Sequence, residues 1–222
     1  LLLRGFLGTV ALFCIFKALE SLPLASATII QYTYPTFVSI GAWIFLKERI
    51  QPKIIYALLL GWIGITFIVQ PEWININGAG LPMRAVLIAL LGAISTAFAY
   101  ICVRKLSSKN EHPLVIIYYF PLISIPCSLP FIFYKSVVPV GIEWFWLLGI
   151  GVFTQFGQLG ITKGLSLLPA ARACSINYCQ VIFATIWGIL IFSEQINLYI
   201  ITGAFFIFSS TLISVTNNEK YV

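Results

Sequence analysis

Three pairs of polar side chains recur 146 residues apart in a chain that is otherwise strongly apolar. Amides and phenols donate and accept hydrogen bonds while staying neutral near pH 7. They can therefore bind a polar or amphiphilic solute without placing a charge in apolar surroundings. The pairs are Gln31 with Asn177, Tyr32 with Tyr178, and Tyr34 with Gln180. We expect these residues to line a binding site; the alternative role is interhelical hydrogen bonding, which Asn and Gln also provide.

The segment 144–166 carries a second group of polar side chains. Four of them fall within about 100° of one helical arc. They are Thr154, Gln155, Gln158 and Thr162. We expect Thr154, Gln155 and Gln158 to face a polar cavity, with Tyr100 as a further candidate for its wall. On another face, the spacing Gly160-x-x-x-Gly164 predicts close packing on a neighbouring helix.

The composition of the chain indicates that these residues lie on membrane-spanning helices. The chain is 60% hydrophobic and only 9% charged, whereas soluble domains carry about 25% charged residues. We therefore predict an all-α, polytopic membrane helix bundle, since a spanning helix needs about 20 apolar residues. Eight segments qualify, and they are 4–20, 24–46, 53–70, 83–106, 114–134, 144–166, 170–192 and 196–215.

An internal repeat connects the paired polar residues to these segments. Residues 17–50 align without a gap with residues 163–196, and twelve of the thirty-four positions are identical. Extended to whole helices, the first copy covers predicted helices one to three and the second covers helices six to eight, with two helices, 83–106 and 114–134, between them. The repeating unit therefore has five helices, and the second copy enters the membrane in the opposite direction. Such inverted repeats are typical of secondary transporters, with the substrate site between the halves. Pro35 predicts a bend in 24–46, but its counterpart is Val181, so the two copies need not bend alike.

The repeat also predicts the domain organisation. We expect a partial first repeat at 1–71, which lacks its first two helices, a complete second repeat at 82–216 and a tail at 217–222. The eight helices would then belong to an expected ten. A chain that truly lacked two helices would be a truncated, non-transporting or dimer-dependent remnant, and this is the alternative to a carrier.

Three charged residues are candidates for gating or coupling because they lie near predicted helix ends. They are Lys17, Glu20 and Lys163. The alternative role of the two lysines is to extend to the membrane interface. Glu20 is the candidate proton carrier for proton-coupled transport, although exchange without protons fits the sequence at least as well. Glu48, which ends the first copy, is interpreted as interfacial and structural.

The distribution of basic residues predicts the orientation. With the start of the first helix in the cytoplasm, ten Lys and Arg fall inside, Arg4 among them, and three fall outside. Cytoplasmic loops are enriched in these residues, so the C-terminus is predicted to be cytoplasmic. The localisation is a multi-pass protein of a bacterial inner membrane or an equivalent plasma or organelle membrane.

Other classes of protein fit the sequence poorly. Asp is absent and the only histidine, His112, lies in a predicted loop, so triad or metal-dependent catalysis is not expected. The five cysteines form no CxxC pair, and we expect no metal site and no cofactor. The thirteen basic residues are dispersed, which argues against nucleic-acid binding. The expected partners are a small-molecule substrate and membrane lipid, for a monomer or homodimer.

Several short motifs identify a family resemblance over nearly the whole chain. The first copy contains Leu22-Pro23-Leu24-Ala25-Ser26-Ala27, Tyr34-Pro35 and Lys47-Glu48-Arg49-Ile50. The second contains Leu168-Pro169-Ala170-Ala171, and its charged triplet is reduced to Ser193-Glu194-Gln195. The chain resembles the EamA-type transporters of the drug/metabolite transporter superfamily. This resemblance implies ten helices with both termini cytoplasmic, and secondary transport of small metabolites such as amino acids or their relatives, usually outward.

Overall fold

The described part of the chain is entirely helical. The computed structural model describes residues 1–22, 30–49, 51–69, 82–135, 138–179 and 198–216, together with residues 27, 183, 186 and 190. These residues contain no β-strand and form eight α-helices. The helices are α1 (Leu2–Leu19), α2 (Tyr34–Gly41), α3 (Pro52–Val69), α4 (Met83–Ser107), α5 (Pro113–Lys135), α6 (Glu143–Leu167), α7 (Ala170–Ile176) and α8 (Leu198–Thr216). One π-helical turn, Ala42–Leu46, continues α2.

Helix length and composition agree with a membrane protein. Among the described residues, four helices are long and apolar enough to cross a membrane: α1, α4, residues Pro113–Phe131 of α5, and α6. Three shorter apolar helices are Tyr34–Leu46, Pro52–Phe67 and Ile201–Ile213. Large apolar side chains such as Phe145, Phe153 and Leu167 are exposed on the outer surface, as is expected where helices contact lipid acyl chains.

Both copies of the repeat contain a helix that is interrupted. The sequence predicted one helix over 24–46, but the backbone turns at Tyr32 and Thr33, and Pro35 lies in the first turn of α2. Helix α7 likewise ends in a turn at Asn177 and Tyr178. The second turn forms without a proline, and Val181, the counterpart of Pro35, lies outside the described residues. Donors in both turns bond to carbonyls three residues earlier, as in Thr33 N to Ile30 O at 3.1 Å.

Glycines bring pairs of helices into close contact. Helix α3 packs along α8, where a Cβ on Gly64 would lie 2.8 Å from the carbonyl oxygen of Gly203. Helix α1 packs along α4 in the same way, with Gly92 against Cys14. Small residues permit this approach in membrane bundles. The packed helices leave a cavity between α1, α4, α6 and the two interrupted helices.

One packing expectation was wrong for the described residues. The spacing Gly160-x-x-x-Gly164 predicted a close helix contact, yet a Cβ added at either glycine would meet no atom within 4 Å in the described part of the chain. Gly160 instead lines the cavity. This glycine face of α6 therefore has no close neighbour among the described residues.

Candidate functional site

The cavity has a volume of about 880 Å³, within the usual range for small-molecule sites. Its walls come from both copies of the repeat and from α4. It extends from Leu19 and Ala27, near the C-terminal end of α1, to Tyr100 and Asn177 inside the bundle. The other described lining residues are Ile15, Gln31, Tyr32, Tyr34, Thr96, Thr154, Gly157, Gln158, Gly160 and Ile161.

Amide groups from the two copies lie on the cavity wall. Asn177 Nδ2 donates to the hydroxyl of Tyr34 at 3.0 Å, and Gln31 Nε2 donates to Thr96 Oγ1 at 3.2 Å. The Gln31 Oε1 acceptor is buried and has no hydrogen-bond partner among the described residues. The wall of the cavity therefore carries neutral amide groups, one of which keeps an unused, buried acceptor. Thr96 was not identified from the sequence, because a single threonine in a helix carries no positional signal.

Four tyrosine rings support this wall. Tyr32 lies 6.3 Å from Tyr34 and 6.2 Å from Tyr178, measured between ring centroids. Tyr34 meets Tyr100 edge to face at 5.5 Å. Tyr178 is fully buried and packs on Gly61 of α3, so it supports Tyr32 from behind and is not part of the lining. Such rings provide an apolar wall with polar tips.

A buried arginine lies behind the cavity wall. Arg4 is only 3% exposed, and its Nη2 donates to Gln158 Oε1 at 3.1 Å. Its guanidinium also lies over the ring of Phe120, 5.3 Å from the centroid. Sequence reasoning counted Arg4 as a loop charge. The usable signal was a charged residue inside an apolar helix, followed four residues later by Gly8, whose missing side chain leaves room for the guanidinium.

A polar network links the helices at the end of the bundle where α4 and α6 terminate. Glu48 Oε1 accepts from Arg104 Nε at 2.7 Å, and Glu48 Oε2 accepts from the backbone N–H of Ala170 at 2.9 Å. Arg104 Nη1 donates to the carbonyls of Leu165 and Ser166 at 3.0 and 3.1 Å. We call these five residues the Glu48 latch. It joins Glu48, which follows α2 and its π-helical turn, to α4, α6 and α7, and its carboxylate satisfies an otherwise orphan donor at the start of α7.

The remaining candidates lie outside the cavity wall. Lys17 Nζ and Glu20 Oε2 form an ion pair of 2.6 Å near the opposite end of the bundle, and the two side chains are 64% and 63% exposed. Gln155 and Lys163 of α6 are exposed, and neither lines the cavity. Gln180 lies outside the described residues.

An apolar helix bundle around a polar cavity, with walls from two copies of one repeat, is the architecture of a multi-pass membrane protein that handles a small molecule. Comparison with known proteins identifies the family. The EamA-like transporter family matches residues 1–70 and 83–216. The chain belongs to this family, and it is an integral membrane transporter, not an enzyme.

Individual relatives agree with this membership. The pseudopaline exporter CntI of Pseudomonas aeruginosa is 33% identical over 204 residues, which cover 91% of this chain and 70% of the exporter. Solute carrier family 35 member G1 of Homo sapiens is 28% identical over 221 residues, covering 96% of this chain and 60% of the carrier. One solved crystal structure superposes with a TM-score of 0.78 at 18% identity, over 96% of this chain and 74% of that one. This last likeness concerns the fold alone.

Proposed function

We propose that this protein is a secondary carrier that moves small polar or amphiphilic metabolites, such as amino acids or related compounds, through the described cavity. The observation that carries the proposal is the pairing of Gln31 and Asn177 on the wall of one cavity inside an apolar bundle. Uncharged polar groups at this depth are costly unless they are satisfied. A substrate with hydrogen-bonding groups would satisfy them during each transport cycle.

Alternating access by two inverted halves is the proposed mechanism. In this conformation the Glu48 latch closes one end, while the cavity reaches Leu19 and Ala27 towards the other. The interrupted helices, with turns at 32–33 and 177–178, provide hinge positions next to the site. The halves, 1–71 and 82–216, would rock about the cavity, so that the latch opens when the other end closes.

The opening near Lys17 and Glu20 is the proposed position of the second gate. Their exposed ion pair lies close to the α1 end of the cavity, and Lys163 of α6 is the charge related to Lys17 by the repeat. The relative in Pseudomonas aeruginosa is named as an exporter, and outward transport is the direction we propose here.

Counterflow exchange in proteoliposomes tests the site. The full-length protein would be reconstituted into liposomes that are loaded with one unlabelled solute from a panel of amino acids, amino-acid amides and nucleosides. Uptake of the same labelled solute would then be measured. Asn177→Ala and Gln31→Ala should each lower the exchange rate about three- to tenfold, because each removes a neutral hydrogen bond. Ser128→Ala is the control, since its hydroxyl donates only to its own helix.

Two outcomes would count against the proposal in different ways. Unchanged exchange in both variants, with normal membrane insertion, would remove the amide pair from the binding site. A wild-type protein that exchanges no member of the panel would contradict the carrier function itself.

A further inference from the structure

Arg4 carries a buried charge without a counter-charge. In the described part of the chain no carboxylate lies within ion-pair distance of its guanidinium; the ion pairs there are Lys17 with Glu20 and Arg104 with Glu48. Its neighbours are the amide of Gln158 and the ring of Phe120, both neutral. Arginine within a membrane-spanning helix is costly and usually faces the interior or a water-filled cavity, paired with another group. Here that pairing group is absent from the described protein residues.

The position of the contact places this charge at the cavity. Gln158, which accepts from Arg4, lines the cavity and lies nine residues before Leu167, the last residue of α6. At 1.5 Å per residue this is about 14 Å of helix. The guanidinium therefore lies directly behind the cavity wall, separated from the cavity by the Gln158 side chain.

The guanidinium also has unused hydrogen-bonding capacity. Arg4 Nε is buried and has no partner among the described residues, while Nη2 donates to Gln158. These two nitrogens form the edge of the guanidinium that a carboxylate binds with two parallel hydrogen bonds. In this conformation Gln158 covers this edge, so the binding of a carboxylate requires the Gln158 side chain to turn aside.

We infer that Arg4 is the anion-binding group of the cavity and that the transported substrate carries a carboxylate. This rests on the proposed carrier function and narrows its substrate class. The described lining residues are all uncharged, so the single guanidinium behind Gln158 matches one carboxylate, whereas a phosphate group would leave negative charge unmatched. The tyrosines then contact the organic part of the substrate, and the free Gln31 Oε1 accepts from an amino or hydroxyl group on it.

Competition in the counterflow assay tests the inference. The competitors are amino acids and their α-amides, which differ at the carboxylate. Wild-type exchange should be inhibited by the acids at concentrations about 10- to 100-fold lower than by the amides, the range expected for a charge-assisted hydrogen bond. Arg4→Gln should abolish this preference and Arg4→Lys should keep part of it. Arg84→Gln, an exposed arginine at the start of α4, should leave it unchanged.

Gln158→Glu provides a variant that does not remove the buried charge. The new carboxylate lies where Gln158 Oε1 already accepts from Arg4, so it should form an ion pair with the guanidinium and preserve the fold. Because the guanidinium is then already paired, inhibition by the acids should weaken about 10- to 100-fold. If Arg4 is only structural, this variant and Arg4→Lys will keep the wild-type preference, and the inference is wrong.

The result also separates this inference from the carrier function. Exchange of panel solutes with equal inhibition by acids and amides would overturn the role of Arg4 and leave the carrier intact. A lack of exchange with every solute would contradict the carrier, while thermal-shift titration of the purified protein with the same acids and amides would still report whether the carboxylate is preferred.

Discussion

The carboxylate of Glu48 has a partner on each oxygen, one a guanidinium and the other a helix N–H. The Glu48 and Arg104 side chains are only 18% and 21% exposed, so water screens their attraction weakly. The pair of Lys17 and Glu20 is about three times more exposed, and pairs of that kind contribute at most about 1 kcal/mol. The two ion pairs of the described chain therefore differ in how much they stabilise the protein, and the larger contribution comes from the pair of Glu48 and Arg104 in the Glu48 latch.

Glu48→Gln should destabilise the protein by about 1–3 kcal/mol, because Arg104 would keep its carbonyl partners but lose its counter-charge. The measurement is the thermal midpoint of the purified protein in detergent. Glu111→Gln is the matched control, since Glu111 is an exposed glutamate in the turn after α4. Equal midpoints for Glu48→Gln and Glu111→Gln would mean that the latch does not hold this end closed.

The role of a single residue could be predicted from the sequence only where that role does not depend on contacts with other helices. Gln31 and Asn177 could be selected because an amide far from a helix end is unusual in any membrane helix, whatever surrounds it. Arg4 and Glu48 were interpreted as interface charges because both lie near predicted helix ends. Their roles depend on Phe120, Gln158 and Arg104, which belong to other helices and which no local pattern connects to them.

The interrupted helices likewise show that a local sequence pattern does not reveal structure that depends on contacts with other helices. Pro35 predicted a bend in the segment 24–46, and the structure has a break there. The proline lies in the first turn of a new helix, α2, and does not bend a continuous one. The turn at Asn177 and Tyr178 could not be predicted in this way, because no proline lies near it in the sequence. There the fully buried Tyr178 ring packs on a glycine of α3, so tertiary contact accompanies the turn. Helix existence could be predicted from apolar length, whereas these breaks depend on packing.

Gly61→Ala should destabilise the protein by about 1–3 kcal/mol, because the added methyl group would overlap the Tyr178 ring and overpack the core. The same change should lower the exchange rate, since Tyr178 supports Tyr32 on the cavity wall. Thermal midpoint and counterflow are the measurements. Gly149→Ala in α6 is the control, because a Cβ there meets no described atom within 4 Å, and it should be neutral or stabilising.

A double variant makes the packing claim specific. Tyr178→Val removes the ring that the Gly61 methyl group would strike, so Gly61→Ala should be less harmful in that background than in the wild type. Additive effects of the two substitutions on the midpoint would show that the ring and the glycine do not interact.

At the scale of the whole molecule, composition was sufficient to predict an all-helical membrane bundle. A chain with 60% hydrophobic residues and 9% charged residues cannot cover itself with polar side chains. Six of the eight predicted segments correspond to continuous helices, and the other two contain the breaks. The relation of the halves by inversion stays a proposal, as does the full count of ten helices. Two of the ten inside charges, Arg4 and Arg172, are buried in the structure; without them the bias becomes eight to three, which favours the same orientation.

Single-cysteine labelling tests this orientation. In a variant without the five native cysteines, Asn110→Cys, in the turn after α4, should react with an impermeant thiol reagent only from the cytoplasmic side. Met83→Cys, at the start of α4, should react only from outside. Both positions are exposed. The reverse pattern would invert the proposed topology, and labelling of both sites from one side would contradict α4 as a spanning helix.

The Glu48 latch has a consequence for the order in which the protein is made. Arg104 is synthesised 56 residues after Glu48, and Ala170 follows 122 residues after it. During translation the first half therefore inserts with its carboxylate still solvated, and the two copies cannot lock together until the start of α7 has left the ribosome. Chains that stop before that point lack the helix N–H that Glu48 Oε2 binds, so quality-control proteases should remove them before the halves assemble.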